Sequence, residues 1–211
     1  STDGKRWKKK DYRQVTNEFV VQHSSAKFCK ANRDSYMVGA LARFNLNQEK
    51  LHPKAKAVAE AIGMKGIVKN PYLNTAAQLI ESVHCLEDGI RILEEFKKKG
   101  VDPSEAIVVG LNETGKVKVH AGSGVGAVEV PRGILFHHYD VDSAGKIVNA
   151  NCIIPTGQNL NNIEYDMKKL VPEILAKTDE EITLALEMLV RAYDPCISCS
   201  AHFLNVKFVN R

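Results

Sequence analysis

Cys196 and Cys199 stand three positions apart, with His202 three further on, close behind an Asp194-Pro195 corner near the end of the chain. Thiolates at this spacing select nickel, iron, zinc or copper(I) over magnesium or calcium, because polarisable sulfur suits soft and borderline metal ions. Redox or metal chemistry is therefore the first reading. A c-type haem site needs the histidine directly after the second cysteine, and here Ser200 and Ala201 intervene. Structural zinc usually takes two such pairs, whereas Cys29, Cys85 and Cys152 are far apart. A thioredoxin-like motif sits on the helix after the first strand of a βαβ unit, while this one ends a helix-rich tail. On the cysteine pair alone, two ordinary buried cysteines remain the alternative.

The elements that must position this tail can be read from periodicity. Residues 35–44 and 53–62 carry helix-like patterns, and Pro53 is acceptable in a first turn. The spacing of Leu79, Val83, Leu86, Ile90 and Leu93 predicts a helix over 74–99, with lysines in its last turn and Gly100 after it. From Val117 to Ile154 the chain turns to β-branched runs punctuated by glycine. Residues 134–141 and 146–154 flank Asp142-Ser143-Ala144-Gly145 and predict a hairpin. Gly122-Ser123-Gly124-Val125-Gly126 lacks the spacing of a nucleotide loop and reads as a close-packed turn. Two more helices are expected near 161–176 and 179–192, the second capped by Thr178 or Asp179. The expected fold class is α+β, mainly helical, with a small antiparallel β region in the middle. The expected divisions are 1–100 helical, 101–157 β-rich, and 158–211 helical with the metal-ligand tail.

Composition bounds the partners. The 211 residues, 44% hydrophobic, suffice for a sizeable core, and no apolar run approaches the eighteen or so residues of a membrane span. The amino terminus is basic and lacks the apolar stretch of a signal peptide. Five cysteines without such a signal argue for a reducing, cytoplasmic setting. The net charge of +4 is concentrated in Lys5-Arg6-Trp7-Lys8-Lys9-Lys10, a solvated basic patch or a face for a partner subunit rather than a nucleic-acid site.

Four longer strings carry a resemblance. Asp-Pro-Cys-x-x-Cys-x-x-His at 194–202, Pro131-Arg132-Gly133 with Leu135 and His137, Pro155-Thr156-Gly157-Gln158-Asn159, and Val38-Gly39-Ala40-Leu41-Ala42-Arg43 all occur. In their order along the chain they resemble the large, catalytic subunit of nickel–iron hydrogenases. The resemblance implies a hydrogenase large-subunit-like fold and a nickel–iron centre with carbon monoxide and cyanide on the iron. It makes Cys196 a terminal nickel ligand and Cys199 a ligand bridging to iron. Arg132 would be a catalytic cation over the open position between the metals. Pro155 and Thr156 would line the pocket for the diatomic ligands, the Thr156 hydroxyl donating to cyanide. His202, with the backbone carbonyl of Cys152, would hold a magnesium or iron ion. His137 and His138 are given no catalytic role, since alternation on a strand puts them on opposite faces. The implied reaction is reversible heterolytic cleavage of dihydrogen, the proton passing to a thiolate or the Arg132 environment. Electrons would leave through an iron–sulfur small subunit and diaphorase-type subunits. Gly157-Gln158-Asn159 and His137-His138-Tyr139 look most like the soluble cytoplasmic group coupled to nicotinamide, coenzyme F420 or sulfur-type acceptors.

Two departures qualify the resemblance. The family's first cysteine pair, in an Arg-x-Cys-x-x-Cys string, is not in this sequence, and Cys29 has no partner at that spacing. The chain therefore reads as the carboxyl-terminal portion of a large subunit, a fragment or one piece of a split protein. It would need the amino-terminal part and would be inactive alone. In addition, Phe203–Arg211 follow His202, where the family is cut by a maturation endopeptidase after nickel insertion. His202-Phe203 would be the processing site, and this form would be a precursor without nickel. The rival readings are a metal-free hydrogenase-related structural or assembly module and a zinc-binding interaction domain. Metal-free relatives typically lack the terminal cysteines, which are present here.

Overall fold

The computed structural model describes residues 1–102, 119–196 and 206–209. The architecture is α+β and mainly helical, with two small antiparallel sheets. A short 3₁₀ segment at Lys9–Gln14 leads into β1 (Thr16–Val21) and β2 (Ser24–Ala31), which form an antiparallel hairpin. Sequence reading expects helix here. The hairpin follows from β-branched and aromatic residues whose periodicity is too short to stand out. Phe19 and Phe28 pair across the strands, with ring centroids 6.0 Å apart.

Helix α1 (Ala40–Asn47) begins later than expected, because Gly39 holds φ +114°. Helix α2 (Pro53–Ala61) starts on Pro53, and the Glu87 carboxylate accepts from the backbone N–H groups of Lys54 and Ala55. Helix α3 spans Asn74–Lys99, as the periodicity predicts. Its buried side is not the stripe that revealed it. Ala77 and Ile80 pack with Ala40, Leu41, Phe44, Ala55, Ala59 and Met64, while Leu79, Leu86, Ile90 and Leu93 face outward.

The second sheet is the meander β3 (Gly122–Val130), β4 (Gly133–Val141) and β5 (Ile147–Ile153). The predicted hairpin is β4–β5, its turn closed by Asp142 Oδ1, which accepts from Ala144 and Lys146 N–H. The glycine run is corrected: Gly122–Gly126 is strand, not turn. Gly122, Gly124 and Gly126 pair with Val141, Tyr139 and His137, so bulky cross-strand neighbours supply the side chains the glycines lack. Helix α4 (Pro155–Ile174) starts at Pro155 rather than at Asn161, proline being preset for a first helical position. Helix α5 (Asp179–Ala192) opens with a capping box between Thr178 and Glu181. Tyr193 ties α5 to α4, its hydroxyl donating to Asp166 Oδ2 at 2.5 Å, and burial beside that carboxylate pushes its pKa up. Among the described residues, no helix is long and apolar enough to cross a membrane.

Two stability outcomes follow from these elements. Thr178→Ala is expected to lower unfolding free energy by about 1 kcal/mol in urea titration, through loss of the cap. An unchanged midpoint would remove the capping box from the account. Cys29 is fully buried beside Tyr12, Phe136 and Ile153, and desolvation, helped by the Glu18 carboxylate, pushes its thiol from 9.0 up to about 12. The folded state therefore keeps a proton that the unfolded chain loses. Its contribution is intact below about pH 9 and disappears as pH rises toward 12. Cys29→Ala should flatten the decline of stability over that window relative to the parent. Parallel pH profiles of the two proteins would contradict this.

Candidate metal centre

The Pro131-Arg132-Gly133 corner joins β3 to β4 and is gripped from α1. Arg43 donates through Nη1 to the Val130 carbonyl and through Nη2 to the Pro131 carbonyl, both at 2.9 Å. Its other edge lies on the Glu81 carboxylate of α3, at 2.5 and 2.8 Å. This half-buried pairing holds Arg43 protonated even above its usual range. Gly133 sits at φ +148°, and an added Cβ would stand 2.5 Å from Val38 Cγ2 and 3.2 Å from Pro155 Cβ. Glycine is required here by both backbone and neighbours.

From that corner Arg132 reaches the end of α5. Its Nε donates to the Asp194 carbonyl at 2.6 Å and its Nη2 to Asp194 Oδ1 at 3.1 Å. Asp194 Oδ2 accepts from Gln78 Nε2 at 3.0 Å, so α3 also holds the residue. Asp194 has φ +50°, the only non-glycine in the left-handed region among the described residues. Aspartate tolerates that conformation better than most residues, and three side-chain hydrogen bonds hold it there. The left-handed turn followed by Pro195 directs the chain out of α5 toward Cys196.

Cys196 meets the start of α4. Its backbone N–H donates to Thr156 Oγ1 at 3.3 Å, and Thr156 is 2% exposed. The hydroxyl thus spends a lone pair on Cys196, while its own hydrogen has no acceptor among the described residues. A buried hydroxyl with a spare donor and a fixed guanidinium meet at Cys196, which stands in a disulfide in this structure and, once reduced, would offer a thiolate to a metal carrying anionic ligands.

Buried amides register the supporting shell. Asn74 Oδ1 accepts from Leu41 N–H and its Nδ2 donates to the Ala192 carbonyl, both at 3.0 Å, joining α1, α3 and α5. Gln158 Nε2 donates to the Ile134 carbonyl at 2.6 Å. Asn159 brackets Val38, accepting from its N–H at 2.8 Å and donating to its carbonyl at 3.2 Å. Sequence reading gave Asn74 no role and used Gln158 and Asn159 as part of a family string and as marks of a subclass, without a structural role. The available signal was polar residues inside amphipathic helices with no solvent face to occupy.

Arg132, Pro155, Thr156 and Cys196 are thus brought to one place. Cys152 lies on β5 opposite His137, its Sγ 3.4 Å from His137 Nδ1 and 3.5 Å from the Tyr139 hydroxyl. His138 is on the other face, its Nδ1 hydrogen-bonded with the Tyr12 hydroxyl at 3.1 Å, as strand alternation requires. Cys199, His202 and Phe203 lie outside the described residues.

The profile of the nickel-dependent hydrogenase family matches residues 3–202, and the chain belongs to that family. It is 35% identical over 209 residues to sulfhydrogenase 1 subunit alpha of Pyrococcus furiosus, covering 98% of this chain and 46% of that protein. It is 31% identical over 205 residues to NAD-reducing hydrogenase HoxS subunit beta of Cupriavidus necator, covering 92% of this chain and 40% of the relative. Among solved structures, an NAD+-reducing [NiFe]-hydrogenase in the H2-reduced state superposes with TM-score 0.72 at 28% identity, over 93% of this chain and 43% of that one. A [NiFeSe] hydrogenase from Desulfovibrio vulgaris Hildenborough, 19% identical with TM-score 0.51 over 84% of this chain and 37% of that one, shares the fold. The chain spans less than half the length of these relatives.

Asn74→Ala strands a buried N–H and a buried carbonyl at once. Its expected cost is roughly 2–4 kcal/mol in chemical denaturation. A cost below about half a kcal/mol would mean that these amides do not hold the three helices together.

Proposed function

We propose that this chain is the carboxyl-terminal portion of the catalytic subunit of a nickel–iron hydrogenase, working with an amino-terminal part that supplies the other two metal thiolates. The observation that carries the reading is the convergence of Arg132, Asp194, Cys196 and Thr156 in a family whose profile spans nearly the whole chain. When bound, the nickel–iron centre, with carbon monoxide and cyanide on iron, supplies the place where dihydrogen is polarised and its electrons are accepted.

The chain's own residues do the rest. Cys196 and Cys199, once reduced, would hold the metals as thiolates, since ligation outcompetes the proton. Arg132, immobilised by Asp194, presents a fixed positive charge where negative charge develops. A guanidinium gives up its proton so reluctantly that electrostatic stabilisation suits it better than general-base work. Thr156 directs its spare hydroxyl hydrogen at an anionic ligand, and Pro155 adds apolar wall. The Cys152 carbonyl and His202 would hold a magnesium or iron ion, the carbonyl being the hard donor that magnesium prefers. Cleavage between His202 and Phe203 by a maturation endopeptidase completes the terminus. Because the relatives are named as subunits alpha and beta, an iron–sulfur small subunit and diaphorase-type partners are assigned to carry the electrons, in the cytoplasm.

In the assembled enzyme, Cys196→Ser and Cys199→Ser should abolish nickel retention by elemental analysis. Arg132→Lys should keep nickel while turnover falls about 100-fold, the usual cost of removing one electrostatic donor. Thr156→Val should shift the cyanide infrared bands at unchanged nickel content. Nickel bound stoichiometrically in the double serine variant would end the reading, and zinc in its place would favour an interaction domain.

A further inference from the structure

Asn74, Gln78 and Glu81 follow one another at steps of four and three in α3, so they stand on one face of the helix. Each reaches a different part of the site. Asn74 Nδ2 donates to the Ala192 carbonyl at 3.0 Å, and Gln78 Nε2 donates to Asp194 Oδ2, also at 3.0 Å. Glu81 accepts from Arg43, which in turn grips the Val130 and Pro131 carbonyls. Both halves of the clasp, the Asp194 end of α5 and the Arg132 corner, are therefore gauged from two turns of one helix. Successive helical residues rise by about 1.5 Å, so only about 4.5 Å of rigid backbone separates Gln78 from Glu81.

Within the clasp, Arg132 Nε holds the Asp194 carbonyl at 2.6 Å and Nη2 holds Oδ1 at 3.1 Å. The second bond is the softer one. An aspartate carboxyl turns in a broad, nearly twofold well, and the two side chains are 38% and 36% exposed. An ion pair this open to water holds its own geometry weakly. Gln78 removes that freedom by occupying Oδ2, which leaves Oδ1 facing the guanidinium.

The residue type is as informative as its place. A glutamine amide donates a hydrogen bond without carrying charge, so the negative charge of Asp194 is left to Arg132. Lysine at 78 would compete with Arg132 for the carboxylate. An ionised glutamate would offer Oδ2 no hydrogen and would draw the guanidinium toward α3. Asn74 already ties α3 to the last turn of α5, so a second amide one turn on adds little to that junction. What it adds is the orientation of one carboxylate.

We infer that Gln78 is a positioning residue for the metal centre: through Asp194 it fixes the Arg132 guanidinium, and its neutrality reserves the charge of Asp194 for that guanidinium. The catalytic consequence rests on the hydrogenase reading, whereas the effect on the clasp rests on the hydrogen bonds alone.

The test uses the assembled enzyme. Gln78→Met keeps the volume and removes the hydrogen bond. At nickel content equal to the parent, its kcat should fall about tenfold while KM for dihydrogen stays within about twofold, since a misplaced charge is felt in the transition state more than in binding. The cyanide infrared bands should shift in the same direction as in Arg132→Lys. Unshifted bands, or a raised KM at parental kcat, would overturn the inference. A double-variant cycle separates positioning from simple support. Gln78→Met added to Arg132→Lys should lower turnover no further than Arg132→Lys alone, because both act at one guanidinium. A further loss of about tenfold in the double variant would mean independent action and overturn the inference. Gln78→Asn holds the same amide one methylene short and should give the same shifts at smaller amplitude, and it takes the place of the methionine variant if that one does not assemble. A crystal structure of the variant should show Asp194 Oδ1 turned out of hydrogen-bond reach of Arg132 Nη2. A parent assembly without nickel fails the hydrogenase reading alone, and that crystal structure still decides the role of Gln78. A nickel-loaded variant with the clasp unchanged fails the positioning alone.

Discussion

Everything at the site depends on the clasp between Arg132 and Asp194. A guanidinium at a strand corner takes both the carbonyl and the carboxylate of the residue that ends α5, and Gln78 holds the remaining carboxylate oxygen. Because Asp194 is in the left-handed region, this triple hold fixes where the following Pro195 and Cys196 go. At the surface such a pair contributes little to global stability. Its consequence is positional: it aims the cysteine segment at Thr156 and immobilises the charge that Arg132 presents. One interaction thereby links the cysteine segment, the Arg132 guanidinium and the start of α4.

The clasp needs rigid supports, and these come from the second block of residues. Arg43 holds the Pro131 turn from α1, Asn74 ties α1 to the end of α5, and Gln158 with Asn159 locks α4 to β4 and the Val38 loop. The strings that carry the family resemblance are, in structural terms, the members of this network. Only part of each string lines the proposed metal site. The remainder consists of glycines and buried amides that set distances between elements, the supporting shell that a metal site needs as much as its ligands.

Much of this was legible in the sequence where one residue type has one role. The ends of α3 and α5 follow from lysines, Gly100 and the Thr178 cap, and the β4–β5 hairpin from Asp142 to Gly145. Other features were hidden by tertiary context. The Gly122–Gly126 run is strand because β4 supplies the bulk, and the β1–β2 hairpin is too short for period-two alternation to show. Asn74, Gln158 and Asn159 look like ordinary polar residues until the backbone groups they satisfy are known. The α3 stripe misled in an instructive way: it announced the helix correctly and the wrong face for this chain's core.

The hydrogen bonds that build the site join residues far apart along the chain: 62 positions for Arg132 to Asp194, 116 for Gln78 to Asp194, 118 for Asn74 to Ala192 and 121 for Val38 to Asn159. Contacts of such high contact order close late in folding, after local helices and hairpins have formed. During synthesis the ribosome releases Asp194 last of all these partners. The emerging polypeptide therefore carries the strand corner and helix starts before the latch residue exists. On the proposed function, the order of the chain itself would place the closing of the metal site after the rest of this network has been made.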